Sequence, residues 1–439
     1  MVDTLFYIDR LAIVMITLVS FVGITILSFS KTYLKGDKNY SKFLIRLSLL
    51  ILSVISLVSA DNIILFVLSW IVSNGILVNL MVHKKEWNAA YESGKLAAKN
   101  FALSSVSISI GLYLLYDLSD SFLISEINAN ALNHNITLPI LLILFGSMAQ
   151  SAIWPMHKWL ISSLNSPTPV SAIMHAGLVN GGGFVLARLA PLYLANRWTL
   201  DIIFVFGMLT AFLGTFWKLL QNDNKRMLAC STMGQMGFMM VQCGLGLFSA
   251  AIAHLCWHGL FKAYLLLTSG SIAKENRNEI KNVSLSGFLL ASVCGMLGAY
   301  IFSITSDKNI FIFDTNIMLV VIAYIACTQI TLPLLQNKNV RHMIDAIFAS
   351  SIFAFIYGIS VGIIYKYLAA QNIDMPSKLN SLHIIGITVL IASWLLTLFG
   401  NKISSNLLNS WFLKLYVKGL NASQPMHKTI TAHHNHYKY

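Results

Sequence analysis

Apolar residues in this chain come in blocks of about twenty, separated by short polar connections. At a rise of about 1.5 Å per residue, such a block crosses the roughly 30 Å hydrocarbon layer of a bilayer as a helix. The pattern predicts about thirteen spans, at 11–30, 43–60, 62–82, 98–117, 138–158, 170–192, 200–221, 227–247, 250–273, 285–304, 315–336, 343–368 and 383–400. The fold class expected is all-α, a polytopic transmembrane helix bundle over 1–400. A C-terminal amphipathic helix and polar tail are expected over 401–439.

The pattern is most disturbed between Leu142 and Leu192. Two span-length runs there carry Gln150, Ser151, His175, Asn180 and Arg188 in their interiors, around a polar turn. Pro155, Pro167, Pro169 and Gly181-Gly182-Gly183 argue against continuous helix. Backbone groups freed at a break must face protein or water, never lipid, so a polar path inside the bundle is expected here.

Composition agrees with a membrane protein. The 439 residues are 56% hydrophobic and only 11% charged, with mean hydropathy +0.70, whereas a soluble domain carries about 25% charged residues. The net charge of +13 raises the question of nucleic acid, but its distribution answers it. Thirteen spans put Arg10, Arg197, Lys308, Lys366 and Lys378 on one side and Arg188 and Lys262 inside spans. All the other Lys and Arg residues fall on the opposite side. That asymmetry is the positive-inside rule, with an outside N-terminus and a cytoplasmic C-terminus. The surplus therefore serves topology and contact with membrane lipid, not nucleic-acid binding. The first run, Leu11–Phe29, has no basic leader or small-residue cleavage site and reads as a retained helix. Cys230, Cys243, Cys256, Cys294 and Cys327 all fall in apolar runs and read as small hydrophobes.

The ninth block holds the second polar constellation. His254, His258 and Lys262 recur every four residues, so on a helix they drift only about 80° over about 12 Å and form one ladder of titratable groups. A lysine at the centre of a bilayer costs about 2.5–3.5 kcal/mol, so it should face the bundle interior. A membrane potential supplies about 2.3 kcal/mol per charge per 100 mV, roughly a fifty-fold bias on one proton at 1.36 kcal/mol per decade. His175 is a further relay candidate; Arg188, near a span end, either joins the path or snorkels to the surface. No Asp or Glu lies at the centre of a span. Asp345 is near the start of the twelfth, and Asp61 and Asp314 are at edges. Sodium sites usually need a carboxylate, so protons are the expected ion. There is no phosphate-binding loop, dinucleotide fingerprint, haem motif or clustered Cys/His set, so covalent catalysis by this chain is not expected.

Past the last span, Leu407, Leu408, Trp411, Phe412, Leu415 and Tyr416 share one helical face, which suits a membrane surface or a docking partner. His427, His433, His434 and His436 in the tail are compatible with metal binding, but such a terminus is more often simply unstructured.

Four stretches carry a family resemblance: Ser151-Ala152-x-x-Pro155-x-x-x-Trp159-Leu160, Pro167–Ala176, Lys225–Phe238 and His254–Ser271. In these the chain resembles the proton-translocating antiporter-like subunits of respiratory complex I and of Mrp antiporters. The resemblance implies an antiporter-like architecture and places His175, His254, His258 and Lys262 on the intramembrane relay, with Gln150, Ser151 and Pro155 at its broken helix. The departures matter as much. Trp70-Ile71 stands where complex I subunits carry a glutamate after tryptophan, Gln150 where they carry the broken-helix lysine, and the distal lysine is either displaced or lost around Ser306-Asp307-Lys308. Together with Ser69–His83, His175–Tyr193, Ser231–Gly246 and Lys414–Ala422, these departures are similar to the DabB membrane subunits of inorganic carbon pumps. That narrower resemblance implies a DabA-type partner, soluble, zinc-containing and β-carbonic-anhydrase-like, which hydrates CO2 while ion flow through the membrane subunit energises the step. It implies no cofactor in this chain, zinc in the partner, and the bacterial cytoplasmic membrane as location.

Overall fold

The computed structural model describes residues 5–269, 284–309, 311–335, 340–403 and 409–430. It is helical, and among the described residues extended pairing is limited to four isolated antiparallel bridges. In chain order the helices are α1 (Arg10–Tyr33), α2 (Tyr40–Ser59), α3 (Ile63–Met81), α4 (Asn88–Ser119), α5 (Ile124–Asn130), α6 (Thr137–Gln150), α7 (Lys158–Ile161), α8 (Thr168–Ala176) and α9 (Gly181–Arg188). There follow α10 (Ala190–Ala195), α11 (Arg197–Leu219), α12 (Asn224–Gly244), α13 (Phe248–Leu267), α14 (Leu285–Thr305), α15 (Asn316–Leu334), α16 (Val340–Leu368), α17 (Ser381–Ile403) and α18 (Asn409–Ala422). Among the described residues eleven stretches are long and apolar enough to cross a membrane, the α8–α9 stretch counting as one. The shorter α6 and the more polar α12 occupy the other two predicted spans.

The chain forms two compact units. The first comprises Met1–Gly244, His254–Ala273 and Tyr416–Tyr439. Its centre is the broken stretch Thr168–Arg188, whose apolar window of 18 residues is 89% buried, against 28% in α2 and 33% in α11. The difference follows from chemistry: α2 and α11 can show apolar side chains to lipid, whereas the freed backbone and polar side chains of α8–α9 cannot. Pro167 caps α8 and Pro169 occupies its first turn, where the missing N–H costs nothing.

The glycine run corrects the sequence expectation. Gly181, Gly182 and Gly183 are helical, and the break falls just before them, at Gly177–Asn180. The glycines are there for close approach. A Cβ on Gly182 would lie 2.3 Å from the Ser147 carbonyl oxygen and 2.4 Å from Ser151 Oγ. The same device joins α11 to α12, where Cβ atoms on Gly214 and Gly237 would lie 2.3 Å from the Gly234 and Ala211 nitrogens. Backbone-on-backbone contact of this kind holds helices that lipid gives no hydrophobic reason to associate, and α12 depends on it because it is comparatively polar.

The second unit comprises Leu245–Ala253 and Lys274–Leu415. Within it α14, α15 and α16 meet through small residues: Ser350 Oγ donates to the Cys294 carbonyl at 3.0 Å, and Gly298 faces Cys327. After α16 the chain returns to the start of α13, where Met375 N donates to Gly246 O at 3.0 Å.

The C-terminal segment from Tyr416 belongs to the first unit and is pinned there by polar contacts. Lys158 Nζ donates to the carbonyls of Ala422 and Gln424 (2.7 and 3.3 Å), Arg226 to Gln424 Oε1 (3.0 Å) and Asn165 Nδ2 to Thr429 O (2.8 Å). Leu407, Leu408, His433, His434 and His436 lie outside the described residues. Cys230, Cys243, Cys294 and Cys327 are buried, and none of the five cysteines forms a disulfide among the described residues.

Candidate functional site

In the first unit α6 stops at Gln150, and the next residues cannot continue it: Ala152 has φ +53°, and Pro155 has no N–H to donate. The carbonyls this frees are taken by side chains. Asn100 Nδ2 and Trp159 Nε1 both donate to Ala149 O, at 2.6 and 3.1 Å. Gln150 and Ser151 in turn serve the second break. Gln150 Nε2 donates to Leu178 O at 3.3 Å and Ser151 Oγ to Val179 O at 2.7 Å, while Asn180 Nδ2 donates to Ala176 O at 2.8 Å. The polar residues singled out in the sequence thus cap the broken backbone, as buried carbonyls require.

Gln150 also forms a reciprocal amide pair with Asn74 of α3. Asn74 Nδ2 donates to Gln150 Oε1 at 3.2 Å, and Gln150 Nε2 to Asn74 Oδ1 at 2.9 Å. Both residues are buried. A neutral pair therefore occupies the position of Gln150, where complex I subunits carry a lysine. Ile71, in place of their glutamate, is 47% exposed on another face of α3. Nothing in the sequence singles out Asn74, because an asparagine within an apolar run has no partner until α3 and α6 are packed together.

Beside the pair is a cavity of about 40 Å³ lined by Trp70, Ser73, Gln150, Asn180 and apolar residues of α1 and α2. Two buried polar atoms on lining residues, Trp70 Nε1 and Asn180 Oδ1, have no protein partner. With at least about 10–15 Å³ needed per water, the space admits about three ordered waters, which those two groups would help to hold.

The ladder on α13 has the expected alignment. His254, His258 and Lys262 are all buried, Lys262 to within 1% of complete. The two imidazoles are stacked, with centroids 6.1 Å apart and planes inclined by 8°, and Phe238 of α12 meets His254 edge-on at 5.0 Å. Lys262 Nζ donates to Leu228 O at 3.3 Å. His254 Nε2 and both ring nitrogens of His258 have no protein partner. Neutral imidazole both donates and accepts, so these nitrogens can pass a proton through an intervening water.

His175 lies on α8 with Nδ1 3.0 Å from Thr232 Oγ1 of α12, a contact that fixes the ring. Gly259 packs closely onto this helix: a Cβ there would be 2.8 Å from Ala176 O. The neighbours of His258 and His175 are therefore in contact, and Lys262 and His175 meet α12 one turn apart, at Leu228 and Thr232. Lys225, also on α12, donates to Leu164 O and Ser166 O at 3.2 and 3.1 Å. His175 thus lies on a helix packed directly against the one that bears His258 and Lys262, with His254 stacked on His258.

The remaining candidates lie elsewhere. Arg188 is neither in this cluster nor snorkelling; its guanidinium pairs with the Asp9 carboxylate, which also caps α1 by accepting from Ala12 N at 2.8 Å. Asp345 is in the second unit, half-exposed and 3.8 Å from His342. Lys308 is also in the second unit, buried, with Nζ 4.0 Å from the centroid of the Tyr365 ring. Among the described residues no three His, Cys, Asp or Glu side chains are grouped to hold a metal ion.

Broken helices, a buried lysine and imidazoles stacked along one helix give a polytopic membrane subunit with a polar interior. The family model of the NADH:quinone oxidoreductase/Mrp antiporter membrane region matches residues 60–294, and that of the N-terminus of complex I chain 5 matches residues 1–44. The chain belongs to this NADH:quinone oxidoreductase/Mrp antiporter family. It is similar to the probable inorganic carbon transporter subunit DabB1 of Halothiobacillus neapolitanus, 34% identical over 282 residues, covering 62% of this chain and 50% of the relative. NADH-quinone oxidoreductase subunit L of Buchnera aphidicola is 35% identical over 307 residues, 67% of this chain and 49% of the relative. The chain thus spans about half the length of these curated relatives. The fold is shared with the Mrp complex from Dietzia sp. DQ12-45-1b, at TM-score 0.57 and 19% identity over 96% of this chain and 45% of that one.

Proposed function

We propose that this chain is the membrane subunit of an energy-coupled inorganic carbon pump, conducting protons to drive CO2 hydration by a DabA-type partner. The reading rests on the buried cluster of His175, His254, His258 and Lys262. Protons enter the imidazole ladder, Lys262 alternates between charged and neutral forms, and His175 relays between α13 and the broken helix. Waters ordered near Gln150 and Ser151 extend the path. The zinc chemistry belongs to the partner, a carbonic-anhydrase-like subunit on the cytoplasmic side. The chain sits in the bacterial inner membrane with its N-terminus outside. The expected bundle runs over 1–400 with the C-terminal helix and tail over 401–439.

The second reading is a subunit of a complex I or Mrp-type antiporter, favoured by the likeness to subunit L. The neutral Asn74–Gln150 pair weighs against it, because an antiporter half-channel of that type relies on a charged pair. The test is Lys262→Met in a carbonic-anhydrase-deficient host co-expressing the partner, with bicarbonate uptake measured. Uptake should fall at least tenfold. Undiminished uptake at normal expression removes Lys262 from the path, and zinc missing from the co-purified complex removes the partner assignment.

A further inference from the structure

The cavity beside the amide pair has a wall that water alone does not satisfy. It lies between α1, α2, α3 and the broken stretch, and apolar side chains such as Val22, Leu50, Val54 and Phe184 make up most of it. Its polar groups are nearly all engaged. Ser73 Oγ donates to Trp70 O at 3.0 Å, both ends of the Gln150 amide are taken by Asn74 and Leu178, and Asn180 Nδ2 donates to Ala176 O. The carbonyl of Gly177 accepts from Asn180 N at 3.0 Å. One side-chain donor, Trp70 Nε1, and one acceptor, Asn180 Oδ1, are left without a protein partner. The two residues are 2% and 1% exposed. The indole is also held in place: it stacks on Phe66 at 6.1 Å, and a Cβ on Gly181 would lie 3.2 Å from its ring.

Three waters call for about nine hydrogen bonds, of which a chain of three fills about four, leaving about five for a wall with two free polar atoms. Water there is loosely held. Space for about three waters is also space for one molecule of three heavy atoms. Carbon dioxide fits the wall's chemistry, because it has no proton to place, accepts weakly at its oxygens and is electrophilic at carbon. The Trp70 N–H can meet an oxygen and the Asn180 carbonyl the carbon, in the way carbonyls approach one another. None of the lining residues is ionisable, so a bicarbonate ion would be buried without a countercharge, which an interior penalises heavily. Arg188 reaches the Val58 carbonyl at 3.5 Å without lining the cavity, and its charge is already paired with Asp9. On their other faces α1 and α2 expose apolar side chains, Phe21 and Ile24 on one and Leu49 and Leu52 on the other. These two helices thus stand between the cavity and lipid, which admits a neutral gas and excludes an anion.

We propose that this cavity is a binding site for molecular CO2, and that the subunit takes its carbon from the membrane as the neutral gas. This rests on the inorganic-carbon reading above and names the form of carbon it handles. No bond is made or broken in the cavity; CO2 replaces loosely held waters, an exchange that favours binding.

Crystals of the complex purified through this chain, held under CO2 pressure, should show a rod of density between Trp70 Nε1 and Asn180 Oδ1. Crystals in bicarbonate at alkaline pH should lack it. Carbon uptake is then measured against dissolved CO2 in the carbonic-anhydrase-deficient host co-expressing the partner. Val54→Phe, which fills the cavity from α2, should raise the half-saturating CO2 concentration at least about fivefold. Proton entry into proteoliposomes of the same variant should stay near normal. Trp70→Phe removes the donor without adding bulk and should raise half-saturation about threefold, the effect of one weak hydrogen bond. Density of waters alone overturns the proposal. So does CO2 density with an unmoved half-saturation in Val54→Phe, which is binding at crystal concentration only. An equal fall in uptake and proton entry also overturns it, because it assigns the cavity to the water path. If Val54→Phe does not fold, Trp70→Phe decides by the same readings. Lys262→Met tests the proton reading separately: it should abolish uptake and leave the CO2 density in place.

Discussion

Leucine at position 150 would strip partners from three buried groups. Gln150 accepts from Asn74 Nδ2 and donates to Asn74 Oδ1 and to Leu178 O, so all three lose a hydrogen bond at once. A buried polar group left unsatisfied costs about 1–3 kcal/mol. The low end applies, because the adjoining cavity of about 40 Å³ admits water. Gln150→Leu should therefore cost about 3 kcal/mol. Asn74→Leu should cost about 1–2 kcal/mol, since Gln150 keeps its bond to Leu178 O. The double variant removes both halves of the amide pair and strands only Leu178 O, so it should cost about 1 kcal/mol, less than Gln150→Leu alone. Denaturant or thermal unfolding of the detergent-solubilised protein measures all three. A double variant destabilised by the sum of the singles would refute the argument, because it would mean that the two amides do not depend on each other.

Two further outcomes follow from the geometry. Gly182→Ala drives a Cβ against the Ser147 carbonyl and should cost about 1–3 kcal/mol, whereas Gly183→Ala meets the flexible Met239 thioether and should cost less; equal melting losses would contradict the packing. Asp37, in the connection between α1 and α2, lies below its ordinary value of 3.8: burial raises it, but the Asn39 N–H and the His83 ring at 3.1 Å outweigh burial. A depressed carboxyl contributes stability in full above the ordinary value and loses it as pH falls through the lower folded value. The gap in melting temperature between the unmodified protein and Asp37→Asn should hold at neutral pH and close in strong acid; a gap that persists there would exclude the assigned pairing.

Much of this protein was legible along the chain. The number and positions of the spans follow from block length, because a bilayer sets the apolar length of any helix that crosses it. The alignment of His254, His258 and Lys262 follows from helical periodicity alone, and holds wherever the helix packs. A break near Gln150 was legible too, since proline forbids continuous helix. The role of Gly181-Gly182-Gly183 was not: glycine serves both breaks and close contacts, and only Ser147 and Ser151 across the interface show which. Nor could residue order reveal that Asn74 meets Gln150, that Thr232 holds His175, or that Arg188 is engaged by Asp9. Local sequence fixes what a segment can do with its own neighbours in the chain. Which buried polar group answers which is decided in tertiary structure, because every such group needs a partner and the partner lies on another helix.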